Sequence, residues 1–180
     1  IAPQKAALDE LAAELATSYR VHIQVLTADI SSYEGIVQVQ SLISSLDNLN
    51  ILVNNAGFGQ QESFTSSQMA DNDDIINLHI VASVRFTRAA LPGMLANGCG
   101  AIVNVSSLAA FFPLIGDVTC SANKSYLNAF TEALHHELAG SGVRVQALCP
   151  GLLHSDHLDA EEIDYRRKSQ SLWLTPEKVV

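Results

Sequence analysis

Apolar positions change their period along the chain, and each change marks an element. Leu8, Leu11 and Leu15 fall at i, i+3 and i+7, which predicts a helix with one apolar face. The stretch VHIQVLTADI (21–30) is rich in β-branched residues and predicts a strand. GIVQVQSLISSL (35–46) returns to helical spacing. NILVNNAG (50–57) is an apolar run closed by turn residues, the pattern of a buried strand. A long helix is expected over 68–97, with a kink or break at Pro92-Gly93. GAIVNVSS (100–107) predicts a third strand. Leu127, Phe130, Leu134 and Leu138 then mark the core face of a helix over 120–140. Gly140 and Gly142 end that helix, and VRVQALCPG (143–151) predicts a fourth strand.

Helices and strands therefore alternate. Strands joined through helices run parallel, because the crossover returns the chain to the same end of the sheet. The expected class is α/β, a doubly wound, Rossmann-like parallel sheet in one domain spanning 1–180, with the apolar strands covered on both faces. Such sheets hold ligands at the carboxyl ends of their strands. Asp29, Asn54 to Gly57, Ser106-Ser107 and Pro150-Gly151 each close a strand and are the candidates for chemistry.

Composition narrows the partners. The chain is 48% hydrophobic over 180 residues, enough for one sizeable core. Its net charge of −9, without Lys/Arg clusters, speaks against nucleic acid and anionic membranes as partners. No stretch has the length of a transmembrane helix, and the amphipathic start is unlike a signal peptide, so a cytoplasmic location is the default expectation. Cys99, Cys120 and Cys149 form no C-x-x-C pair and are expected as free thiols.

ILVNNAG, GAIVNVSS, the 13-residue step from Ser107 to position 120, CSANK and VRVQALCPG share the order and spacing of the short-chain dehydrogenases/reductases, which the chain resembles over roughly 21–157. The resemblance implies hydride transfer between NAD or NADP and a small-molecule alcohol or carbonyl. In that family a tyrosine hydroxyl moves the substrate proton, a lysine four residues later lowers its pKa and holds the ribose, a serine polarises the substrate oxygen, and an asparagine supports a water and the lysine. Carried to this chain, the serine is Ser107, the lysine Lys124, the tyrosine position Cys120 and the asparagine position His79. Asp29 and Ile30 resemble the adenine contact, and Asn55, Ala56 and Gly57 the turn beneath the adenosine ribose. Gly151 and Leu153 resemble the backbone that meets the carboxamide. The family's pairing through two long helices implies a homo-oligomer through 68–97 and 120–140.

Three departures bear on activity. Cys120 carries its sulfur on Cβ, whereas a phenol oxygen sits at the far end of a ring, so reach rather than acidity separates the two. Tyr126 lies about 200° round the helix from Lys124 and is no substitute. A reactive Cys120 thiolate held by Lys124 is an alternative. His79 can donate or accept where the asparagine would. The glycine-rich turn that seats the pyrophosphate is absent, and GFG at 57–59 follows the wrong elements to replace it. In the family order 3-2-1-4-5-6-7, the strand at 21–30 stands two vacant lanes from 50–57. The expectation is a chain lacking its first βαβ unit and its last strand, with impaired activity, or an inactive relative that serves as an association module. LTPEKVV announces a further helix at the end of the chain.

HSDH (154–157) lacks further metal-ligand residues nearby and fits a substrate loop better than a metal site. Asp71, Asp73 and Asp74 read as charge favouring a helix start. No G-x-S-x-G elbow is present for serine hydrolysis. Trp173 and Leu174 are assigned to the core or a pocket wall.

Overall fold

The computed structural model describes residues 1–59, 63–113, 116–153 and 173–175. Helix α1 spans Lys5–Tyr19 and α2 Tyr33–Ser44. Strand β1 (Ile51–Asn54) leads to α3 (Met69–Ile76), a π turn (Asn77–Val81) and α4 (Ala82–Asn97). Strand β2 (Gly100–Val105) is followed by a single 3₁₀ turn (Leu108–Ala110), α5 (Val118–Glu137) and β3 (Val143–Leu148). A two-residue parallel pair, β4 (Leu152–Leu153) with β5 (Trp173–Leu174), stands apart from the main sheet.

Strands β1, β2 and β3 form a parallel sheet in that order. Register pairs Asn54 with Asn104 and Ile102 with Val145. The expected α/β class and parallel, Rossmann-like arrangement are thus present. Helix α2 begins at a serine cap, where the Ser32 hydroxyl accepts from the Gly35 N–H at 3.1 Å. Helix α5 gives way to β3 through Gly140 and Gly142, at φ +81° and +83°. A β-carbon on Gly142 would meet the Gly98 carbonyl oxygen at 1.9 Å, so this corner admits only glycine.

The core lies on one side of the sheet. Ile36, Val39 and Ile43 of α2, Phe86, Ala90 and Met94 of α4, and Ile102 and Val145 of the strands form one buried cluster, with Leu52 packed against it. Burying each such large side chain contributes about 1.5–3 kcal/mol. Asn104 shares the Ile102 face and donates to Thr131 of α5 at 2.8 Å. Helices α2, α4 and α5 therefore cover the same face.

The coverage of both faces expected from the apolar strands is corrected here. Alternate residues point to the other side, where Ile51 and Val53 are 62% and 56% exposed and Val103 and Val105 are half-buried. β1 is accordingly an exposed strand and not a buried one. The strand expected over 21–30 also does not form. This stretch makes one parallel bridge, Thr27 to Ala2, because a ladder needs a neighbour along its length and only the first residues of the chain lie beside it. That bridge places Ala2 in the lane next to Thr27, so one of the two lanes expected to be vacant is partly filled.

Pro92 lies inside α4 without ending it. The irregularity of the long helix falls instead at the π turn around His79. Leu8 and Leu15 of α1 are half-buried but Leu11 is 50% exposed, so the apolar face predicted there is only partly covered. The helix announced by LTPEKVV lies outside the described residues.

Candidate active site

The carboxyl end of β2 and the first turns of α5 make one site. Asp117, Cys120 and Lys124 recur at three- and four-residue steps, which puts them on one face of α5. The Lys124 ammonium donates to the Val105 carbonyl at 2.9 Å, and the Ser106 hydroxyl donates to the Lys124 carbonyl at 3.1 Å. These two bonds fasten α5 to the last residues of β2. Ser107 follows at once, caps the 3₁₀ turn in extended backbone, and accepts from the Ala109 N–H at 3.1 Å.

The groups around Lys124 tune one another. Burial pulls the Lys124 pKa below its ordinary value, while Cys120, Asp117 and Cys149 act in the opposite sense. Burial pushes the Cys120 thiol up to about 11, and Asp117 adds to the rise through its charge and a hydrogen bond to the thiol; Lys124 opposes both and loses. Cys120 is therefore a protonated thiol at neutral pH, and the thiolate alternative is not favoured by its surroundings.

His79 sits in the π turn, 3% exposed. Burial, with Lys124 next in effect, lowers its pKa to about 3, so the imidazole is neutral. Among the described residues neither ring nitrogen finds a hydrogen-bond partner. The ring lies against the turn after β1: a β-carbon on Gly57 would fall 2.7 Å from Nε2. Thus His79 and Gly57, 22 positions apart in the sequence, meet at the strand tips.

Side chains deeper in the molecule hold this geometry. Asn54 donates to Asn104 at 2.8 Å, and Asn104 to Thr131, a polar ladder from β1 through β2 to α5. Thr119 bonds Asn72, and Asn123 donates to the Ile75 carbonyl at 3.3 Å, tying α5 to α3 just before the π turn. The sequence patterns did not single out Asp117, Asn104 or Asn123. Asp117 could have been found from its place three residues before Cys120.

The other expected contacts are more dispersed. Asp29 accepts from the Ser31 N–H at 3.0 Å and from the Ser31 hydroxyl at 2.8 Å, so one carboxylate oxygen is used locally. Ile30 is half-buried, and Asn55, Ala56 and Gly57 are exposed. Gly151 follows β3 and is half-buried, and Leu153 lies in β4. HSDH at 154–157 lies outside the described residues, and among the described residues no group of three metal-ligating side chains occurs. Nor, among them, is any helix long and apolar enough to cross a membrane. Cys99, Cys120 and Cys149 are all free thiols.

A family model described as short chain dehydrogenase matches residues 1–165. The chain belongs to the short-chain dehydrogenase family. The 3-oxoacyl-[acyl-carrier-protein] reductase FabG of Aquifex aeolicus is 31% identical over 163 residues, covering 89% of this chain and 66% of that protein. The very-long-chain 3-oxoacyl-CoA reductase of Anas platyrhynchos is 33% identical over 155 residues, covering 83% of this chain and 49% of that one. The chain thus spans about half to two thirds of the length of these curated relatives. Among solved structures, a short-chain dehydrogenase from Sphingobium yanoikuyae in complex with NADPH superposes with a TM-score of 0.89 at 28% identity, covering 98% of this chain and 68% of that one. The L-sorbose reductase of Gluconobacter frateurii, complexed with NADPH and L-sorbose, gives 0.78 at 32% identity, covering 86% and 59%.

Proposed function

We propose that this chain carries part of an NAD(P)-dependent oxidoreductase site for a small-molecule alcohol or carbonyl, and that its own turnover is impaired. The observation that carries the proposal is the Lys124 ammonium bound to the Val105 carbonyl, two residues before Ser107. In this reading Ser107 polarises the substrate oxygen, Lys124 holds the nicotinamide ribose, and His79 takes the supporting place of an asparagine.

The residues at the strand tips offer polar contacts to the cofactor. The buried His79 nitrogens without partners and the Gly57 cradle beside them suit a polar ligand group at the strand tips. Asp29, Ile30, Asn55, Ala56, Gly151 and Leu153 are the further proposed contacts. When bound, the dinucleotide supplies or accepts the hydride.

Cys120 is the chemical obstacle. Its thiol pKa of about 11 is close to the value of about 10 for an unperturbed tyrosine, so proton affinity alone would allow it to serve as an acid. A sulfur attached directly to Cβ and hydrogen-bonded to Asp117 does not reach the place of a phenol oxygen. The test is an assay with NADH and NADPH against simple ketones for the unmodified chain and Cys120→Tyr. Turnover by the unmodified chain as fast as by the variant would refute the impairment.

A second reading, an association module, draws support from the outer face of α5. Tyr126 is 44% exposed and its ring stacks on Phe130 at 6.2 Å. A homo-oligomer through this face and the helix over 68–97 follows from that reading, and sedimentation as a strict monomer would count against it.

A further inference from the structure

Helices α2 and α4 run side by side in the same direction. Gln40 meets Arg85, the Leu46 carbonyl lies 3.9 Å from where a β-carbon on Gly93 would stand, and the Asp47 carbonyl accepts from the Asn97 side chain at 3.2 Å. Between the helices a groove of about 490 Å³ opens on the surface. Its Asp47 and Asn97 end stands just before β1 and β2, and no residue that lines it belongs to the candidate active site.

The groove has an apolar course and a cationic end. Ile43 and Leu46 supply apolar wall from one side, Ala89 and Pro92 from the other, and Gln40 and Arg88 line one end. Arg85 donates to the Gln40 carboxamide oxygen at 2.9 Å and to the Tyr33 hydroxyl at 3.1 Å, with its guanidinium 4.9 Å over the Tyr33 ring. This network holds the Gln40 carboxamide by its oxygen and leaves its NH₂ to donate elsewhere. Arg88 follows Arg85 by about one helical turn. Among the described residues neither guanidinium is paired with a carboxylate.

Asp47 is the carboxylate among the residues lining the groove, and it belongs to the far end. Asn97, which its backbone meets, stands about 13 Å along α4 from Arg88. One end therefore offers N–H donors and positive charge, and the other opposes a second negative charge. A volume of this size with apolar walls and a few polar groups is the form of a small-molecule site.

We propose that this groove binds a monocarboxylate carrying an unbranched apolar chain. The head group takes donors from the Arg88 guanidinium and the Gln40 NH₂, since the planar fork of an arginine matches two carboxylate oxygens. The chain lies along Ala89 and Pro92 toward Gly93, where the missing side chain leaves room for it.

The probe is sodium octanoate, added to the full chain and followed by backbone amide chemical shifts. Binding should saturate with a Kd of about 1 mM or below, with shifts at Gln40, Arg88 and Gly93. Octan-1-ol and octylammonium should bind at least tenfold more weakly. Arg88→Gln should weaken octanoate at least tenfold. Gly93→Leu should abolish binding by filling the groove, and leucine suits a helix better than glycine. Arg144→Gln, which removes an exposed charge from β3, should leave binding unchanged. Circular dichroism checks that each variant stays folded. Absence of saturation, shifts confined to Ser107 and Lys124, equal binding of the alcohol or the amine, or an equal loss in Arg88→Gln and Arg144→Gln would overturn the proposal. A dimer that falls apart in Gly93→Leu and binds no octanoate would assign the groove to a second copy and overturn it too. None of these readouts is a turnover, so the result stands apart from the fate of the oxidoreductase reading.

Discussion

Gly57 and His79 approach so closely that a β-carbon on the glycine would sit 2.7 Å from the imidazole Nε2. The pair couples the tip of β1 to the π turn between α3 and α4, and it leaves no room for a side chain at position 57.

Gly57→Ala should destabilise the chain by about 1–3 kcal/mol through overpacking. In a His79→Ala background the same change should cost less than half as much, because the ring it strikes is gone. Urea denaturation of the four chains measures the coupling. A cost that is unchanged without His79 would show that the contact is not the cause.

His79 should also sharpen the acid sensitivity of folding. Its folded pKa of about 3 lies below the unfolded value of about 6.5. Between these values the unfolded chain binds the extra proton, so stability falls as pH drops. The expected slope from this group is about 1.4 kcal/mol per pH unit below roughly pH 6.5. His79→Asn should lose less stability than the unmodified chain between pH 7 and pH 5, measured by urea midpoints. Parallel profiles would contradict the buried neutral imidazole.

Thiol labelling should follow exposure and acidity. Cys99 is exposed, Cys149 intermediate, and Cys120 buried with its pKa raised to about 11. Iodoacetamide at pH 8 should alkylate Cys99 first and Cys120 last, by at least tenfold, as read by peptide mass spectrometry. Fastest reaction at Cys120 would restore the thiolate alternative.

Much of this arrangement was legible in the sequence, for identifiable reasons. Apolar, β-branched runs closed by turn residues located β1, β2 and β3, since such side chains suit a pleated sheet, but the same runs did not reveal that Ile51 and Val53 stand exposed. The CSANK stretch and the strand-end motifs located Ser107, Cys120 and Lys124 on elements that pack together. Periodicity could not reveal that 21–30 lacks a strand, because pairing depends on a neighbour that no local pattern reports. It also could not reveal the π turn at His79, since one extra residue in a helical turn leaves the apolar spacing nearly intact. Asp117 escaped notice because a carboxylate before a helix ordinarily reads as a cap, whereas its side chain makes no cap bond and acts on Cys120.

The central claim is that Lys124 and Ser107 frame a redox site in which Cys120 is the missing reach. The most direct measurement is NADH- and NADPH-dependent ketone reduction at saturating cofactor by the unmodified chain and by Cys120→Tyr. The account predicts little or no turnover by the unmodified chain and a gain of about 100-fold or more in the variant, the range of a restored general acid. Equal rates in the two chains, whether high or undetectable, would contradict it.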